Sequence, residues 1–356
     1  MRKINFISIS SAFLFIIMFT ACSSTKEFPL FEYPLDWKDT AVREKTISEY
    51  SQFLSGKKIF LDPGHGGEDR RNTSHDKLVI EADVNLRVSL ALKKYLEQAG
   101  VNILISRDKD ATVDLGYRSV LANNSGADLF ISVHHNAPGK TEDDYTNYTS
   151  VYYHAKQIDY EYEPCNQDMA RYIERDLSYV MGNPVGLGSF DGTYSDYNIY
   201  PGEGFSVLRK TKIPAVLIEG GFHTSRLEEM RLNNEDFNQI QAWGIFRGLA
   251  KYFKAGIPKI FALTDSTKLD SNKLSLSFLL EDENGINHKM ISVFFNKQEI
   301  EYTFDKSTNI LKVELEQLTN GTYPLRIICA NKNGNHSLPF HKSIVVSNDA
   351  QIEIRD

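Results

Sequence analysis

Cysteine is scarce in this chain. Only three of 356 residues are Cys, at positions 22, 165 and 329. None are closely spaced, which excludes a zinc ribbon, and Cys165 and Cys329 are expected to be reduced and structural rather than bridged. A basic excess is missing too. Lys and Arg number 40 against 47 Asp and Glu, a formal net charge of −7, which argues against nucleic acid as a partner. No apolar run after residue 19 is long enough to span a bilayer, and no internal repeat stands out. What the chain does have is 41% hydrophobic and 12% aromatic residues, enough for sizeable cores in one large domain or two ordinary ones.

Residues 1–22 read as a targeting segment. Arg2 and Lys3 precede a mostly apolar stretch from Ile4 to Phe19. Phe19-Thr20-Ala21-Cys22 then resembles the lipobox of bacterial lipoproteins, with Phe19 where Leu is usual. That resemblance implies that Cys22 is lipidated and that the mature chain is membrane-anchored there. Residues 23–56 read as a tether followed by a short helix over 40–54.

From 57 to 256 strand and helix patterns alternate. Strands are expected at 58–62, 101–105, 128–133, 149–154 and 215–218. Helices are expected at 84–98, 115–124, 166–181 and 236–254, the first capped by Asp83. Residues 182–204 read as a long surface loop. The fold class is α/β, with a mainly parallel sheet flanked by helices. From 257 to 348 the pattern changes to period two with Asn-Gly turns, a small all-β sandwich.

Four stretches carry chemistry. Ile59-Phe60-Leu61 is a buried-strand pattern that ends in Asp62-Pro63-Gly64-His65-Gly66-Gly67. Glu81 stands at the start of the first long helix. Phe130 to Val133 leads into His134-His135-Asn136, and Val216-Leu217-Ile218 leads into Glu219. Carboxyl ends of parallel strands converge on one crevice. Two histidines and a carboxylate form an open catalytic zinc set, and a second glutamate suits a general base. Each residue also has a plainer reading. Glu81 can complement a helix dipole, His134 can be a satisfied buried histidine, and Glu219 can be a solvated strand-end carboxylate.

In this order the stretches resemble zinc-dependent N-acetylmuramoyl-L-alanine amidases of type 3. The turn Asp62 to Gly67 fits D-x-G-H-G-G, and Glu81 to Leu86 fits E-x-D-V-N-L. Leu115, Arg118, Ala122 and Asn123 fit L-x-x-R-x-x-x-A-N, and Ser132 to Ala137 fits S-[IV]-H-x-N-A. Val207-Leu208-Arg209 and Pro214 to Phe222 complete the pattern. The resemblance covers about residues 57–254 and implies a zinc amidase/carboxypeptidase-like fold. It implies one Zn2+ held by His65, Glu81 and His134, with Glu219 catalytic, and peptidoglycan as substrate. The position after His134 is usually small but here is His135. Strand neighbours point to opposite faces, so His135 is expected outside the ligand set, as a support or substrate contact, with Asn136 and Arg118 as further candidates.

The implied setting is a bacterial cell envelope, facing periplasm or cell surface, and the implied role is wall remodelling or daughter-cell separation. The loop 182–204 reads as a groove wall rather than an inhibitory plug that a protein activator would displace. The polar loop 68–80, with Arg70, Arg71, His75 and Lys77, reads as solvated rather than as a stem-peptide contact. The sandwich resembles bacterial immunoglobulin-like modules. Two other functions share these residues: a non-catalytic wall-binding lipoprotein that kept the fold, and a zinc peptidase acting on another amide.

Overall fold

The computed structural model describes residues 29–140, 142–263, 268–270, 273–316, 318–346 and 352–355. Cys22 and the targeting segment lie outside the described residues. Among the described residues no helix is long and apolar enough to cross a membrane.

The N-terminal unit is a six-stranded sheet of β1 (Lys58–Pro63), β2 (Asn102–Ile105), β3 (Leu129–Asn136), β4 (Thr149–Tyr153), β5 (Thr193–Ser195) and β6 (Ala215–Phe222). The spatial order is β2-β1-β3-β6-β4-β5. The first four in that order run parallel, while β4 is antiparallel to β6 and parallel to β5. The helices are α1 (Leu35–Lys38), α2 (Thr40–Leu54), α3 (Glu81–Gln98), α4 (Leu115–Asn124), α5 (Pro164–Met181), α6 (Ser206–Lys210), α7 (Arg226–Leu232) and α8 (Glu235–Lys254).

Both sheet faces are covered, which is why the central strands read as unbroken apolar runs. Ile59, Leu61, Ile131, Val133, Val216 and Ile218 pack with residues of α3, α5 and α8 in the larger core. Phe60, Phe130, Tyr152 and Leu217 pack with Ala122, Val207 and Leu208 in the smaller one. Side-chain alternation then sorts the polar strand ends. Asp62, Ser132, His134 and Glu219 share the smaller core's face, and His135 faces the larger core.

Several elements differ from the sequence reading. Strands β3 and β6 run past the expected ends at 133 and 218 to Asn136 and Phe222, so His134 and Glu219 lie within strands. Helix α3 starts at Glu81 rather than 84, and Asp83 lies in its first turn as the partner of Arg70 instead of a cap. Residues 29–38 are packed rather than a free tether. Phe31 lies against Phe237, the Trp37 indole donates to Tyr95 Oη at 2.8 Å, and Asp36 pairs with Arg247 at 2.7 Å. Aromatic side chains in a polar segment found an apolar seat that period analysis does not detect. The 182–204 loop contains the edge strand β5, which at three residues is too short to show a period.

The C-terminal unit has β7 (Lys259–Ala262), β8 (Lys268–Asp270), β9 (Lys273–Glu281), β10 (Ile286–Phe295), β11 (Gln298–Glu299), β12 (Thr303–Asp305), β13 (Ile310–Glu316), β14 (Gly321–Asn331), β15 (Phe340–Val346) and β16 (Ile352–Arg355). One sheet runs β11-β10-β14-β15-β16 and the other β12-β13-β9-β7, with β8 on β9. Alternate residues of both, such as Leu276, Phe278, Val293, Val313 and Ile327, share one core. Strand β16 extends the unit past the expected end at 348. The two units are clasped by buried polar groups: Arg326 donates to Tyr160 O at 2.6 Å and pairs with Glu163 at 3.1 Å, and Asn335 donates to Tyr252 O and Gly256 O. Cys165 and Cys329 are free and buried.

Candidate metal centre

The turn after β1 starts from a steric demand. A Cβ on residue 64 would lie 2.1 Å from His134 Cε1, so only glycine lets β1 end beside that ring. His65 follows in the left-handed region, φ 59°, which L residues adopt at a cost. The turn is held there by carbonyl contacts. Arg118 donates to Asp62 Oδ1 at 2.7 Å, Pro63 O at 2.8 Å and His65 O at 2.8 Å. Arg107 donates to Pro63 O at 3.0 Å and Gly64 O at 2.8 Å. Arg118 is thus an anchor of the turn, and its contacts are with protein rather than an open groove. Arg118→Ala should destabilise the protein by about 3–5 kcal/mol, because it leaves Asp62 as an unpaired buried charge. Chemical denaturation measures this, and a change under about 1 kcal/mol would refute the anchoring role.

His65, Glu81 and His134 offer ligand atoms that all lie within 4.8 Å of one another. The His65 and His134 rings meet edge to face, centroids 4.9 Å apart. Glu81 Oε2 is 3.1 Å from His65 Nε2, and Oε1 is 3.2 Å from His134 Nδ1. Oε1 also accepts from the His135 backbone N–H at 3.1 Å and from Asn85 Nδ2 at 3.2 Å. Burial opposes the charge on Glu81, but hydrogen bonds from His134 and His65 outweigh it and hold the carboxyl well below its ordinary pKa. Burial likewise opposes protonation of His65, yet Glu81 and Asp69 outweigh it and raise its pKa to about 9. Asp69 Oδ2 is 2.7 Å from His65 Nδ1. That nitrogen therefore carries a proton, and Nε2 is the one free to ligate.

Glu219 stands opposite His134 in the β3–β6 register, so both project from the same face. Its Oε2 is buried with no hydrogen-bond partner among the described residues. Burial, and then the charge of Glu81, push its pKa well above the carboxylate range. A buried carboxyl without a donor is costly in a filled site. Next to two histidines and a carboxylate, it fits a centre that holds a divalent cation and a water. The donor set, two imidazoles and one carboxylate with an open side, suits zinc.

His135 lies on the far face, 2% exposed. Its Nδ1 is 2.8 Å from Asn85 Oδ1, and its Nε2 is 2.9 Å from the Gln241 amide. Burial lowers its pKa to about 4, so the ring is neutral. The ring reaches Glu81 through Asn85, while the His135 backbone N–H meets Glu81 directly. Asn136 sits at the bulge ending β3, where its carbonyl accepts from His223 N–H at 3.0 Å and its side chain from Ala137 N–H at 2.8 Å. Arg70 is committed to Asp83 and Asp110. Sequence reasoning missed Asn72, Arg107 and Gln241 altogether. Asn85 stands one helical turn after Glu81 and could have been found from that spacing.

The profile of the N-acetylmuramoyl-L-alanine amidase family matches residues 59–251. The chain is 31% identical over 226 residues to N-acetylmuramoyl-L-alanine amidase CwlM of Bacillus licheniformis, covering 61% of this chain and 79% of that one. It is 30% identical over 203 residues to the probable cell wall amidase LytH of Staphylococcus aureus, covering 57% of this chain and 60% of that one. Among solved structures, amidase AmiC2 of Nostoc punctiforme aligns at 28% identity with TM-score 0.47, over 56% of this chain and 99% of that one. With the family profile matching more than half of its length, the chain belongs to the N-acetylmuramoyl-L-alanine amidase family.

Proposed function

We propose that this member of the family cleaves the amide between N-acetylmuramic acid and L-alanine of the peptidoglycan stem through a zinc centre of His65, Glu81 and His134. When bound, zinc supplies a Lewis acid for the scissile carbonyl and lowers the pKa of water toward neutrality. Glu219 takes a proton from the attacking water and returns it to the leaving L-alanine nitrogen, so the carboxyl ends the cycle as it began. Asp69 fixes the His65 tautomer, and Asn85 with the His135 N–H fixes Glu81. The observation that carries this assignment is the unpartnered Glu219 oxygen opposite His134. Tyr148 flanks the same end of the sheet, and burial, then the Glu219 charge, raise its pKa so that it stays a donor.

The loop 182–204 packs along the sheet edge. Tyr194 stacks on Tyr152, and Asp191 pairs with Arg171 at 2.7 Å. These contacts support a groove wall, which requires no activator to displace it. We read Cys22 as a lipid anchor that holds the enzyme in the bacterial envelope. We read residues 57–256 as the catalytic domain and the sandwich as an immunoglobulin-like module clasped to it.

Digestion of purified sacculi with mass spectrometry of the products tests the reaction. Intact stem peptides bearing a free L-alanine amine are expected. Cuts within the peptides would mean a peptidase, and zinc-loaded but inert protein would mean a binding module. Metal uptake has its own pH signature. Below about pH 9 His65 is protonated in the metal-free protein, and ligation needs the neutral ring. Zinc affinity should therefore rise about tenfold per pH unit between about pH 6 and pH 8, with about one proton released per metal from this ring. Calorimetric titration in buffers of different ionisation enthalpy reads that proton, and a pH-independent affinity would contradict it.

A further inference from the structure

The loop from Gly66 to Ile80 folds back beside the centre as a strap, and one of its side chains touches the ligand Glu81. Asn72 is pinned opposite Glu81 by the backbone: the Glu81 N–H donates to Asn72 O at 3.0 Å, and Thr73 bridges to Ile80. Arg70 fastens the strap to Asp83 through two bonds of 2.8 and 2.7 Å. Glu229 on α7 fastens its far end by accepting from Asp76 N–H and Leu78 N–H. From this fixed backbone the Asn72 carboxamide nitrogen reaches Glu81 Oε2 at 2.7 Å and lies 3.3 Å from His65 Nε2.

These contacts divide the Glu81 carboxylate in two. Oε1 is secured from the protein side by the His135 N–H and Asn85, together with His134. Oε2 faces His65 and, among the described residues, has Asn72 as its one neutral donor. Among the described residues, the Oε2 half of this 2% exposed side chain meets Asn72 and His65.

We propose that Asn72 is a positioning residue of the metal centre, which holds the Oε2 side of Glu81 in its ligating pose. A carboxamide suits this role because it donates without adding charge. Its N–H holds Glu81 Oε2, an oxygen that keeps a second lone pair for a cation, so this ligand stays aligned between metal-loading events. The role belongs to the strap and not to the strand-end motifs. It rests on the zinc assignment above.

The test is zinc affinity of the full chain by competition with a chromophoric chelator, for the unaltered protein, Asn72→Ala and Asn72→Asp, together with the melting temperature of each metal-free protein. Removal of an outer partner of a ligand costs roughly 10–100-fold in metal affinity. Asn72→Ala is expected to weaken zinc binding within that range with an unchanged metal-free melting temperature. Asn72→Asp, which loses the donor but adds an anionic oxygen at the same place, is expected to bind zinc at least as tightly as Asn72→Ala. Equal affinity of Asn72→Ala and the parent overturns the inference, as does tighter binding, since the amide would then be a competitor for the metal's place. Failure of the parent to bind zinc overturns the assignment of the centre itself, and this inference with it.

Discussion

Glu219→Gln should reduce turnover on peptidoglycan by roughly 10²–10⁴-fold, the usual contribution of general acid–base catalysis, while bound zinc stays unchanged. Glutamine keeps the shape of the side chain, so the end of β6 and its register with His134 survive. It removes the one property the chemistry uses, reversible proton acceptance. The orphaned Oε2 sharpens the expectation. An oxygen with no donor among the described residues contributes little to the fold, so losing its basicity should not cost stability. Its raised proton affinity comes from burial and from the neighbouring Glu81 charge, and a bound cation would offset the second of these. Metal analysis and product release measured on the same preparation separate the outcomes. A variant that still turns over at more than about a tenth of the parent rate is not missing its general base. A variant that has lost its zinc would move Glu219 into the ligand set.

Gly64→Ala should abolish metal binding and activity together, and its cause is purely steric. The added methyl would lie 2.1, 2.3 and 2.5 Å from three atoms of the His134 ring. The ring has nowhere cheap to go, because its Nδ1 meets Glu81 and its edge meets His65. The backbone of the turn is equally constrained by Arg107 and Arg118 on its carbonyls. One of the two histidines must leave the cluster. The fold should lose only about 1–3 kcal/mol, as for other overpacked sites, so circular dichroism and a thermal melt should still report a folded protein. Gly139→Ala is the matched control: a Cβ there meets nothing within 4 Å, and zinc content and activity should not change. Retention of full zinc affinity in Gly64→Ala would refute the close approach.

The candidate site was legible in part because its members sit at or near the ends of secondary structure. His65, His134 and Glu219 each come after an apolar run, and in a covered sheet a polar residue near the carboxyl end of a strand reaches the crevice. His134 and His135 were separable by alternation alone, and the structure puts them on opposite faces, in different company. The supporting residues were less visible. Arg107 follows β2 and Gln241 sits in the middle of α8, and no spacing relates either to the turn or to His135. Residues 29–38 were misread for a related reason: Phe31 and Trp37 find partners more than 50 residues away in sequence, in Phe237 and Tyr95.

By itself, then, the sequence determined the alternation of elements, the change to an all-β unit after Pro258, the motif residues and the family they belong to. The elements follow from local rules, periodicity and turn chemistry, and the family from the resemblance that its motifs carry. The tertiary structure alone decided that Glu81 is held by Asn72 on one side and by Asn85 with the His135 backbone on the other. It decided that two arginines grip the turn carrying His65, and that Glu219 keeps an oxygen free. Those are contacts between segments brought together by burial of the two cores, and a donor's partner across such a contact leaves no trace in its own neighbourhood of the chain.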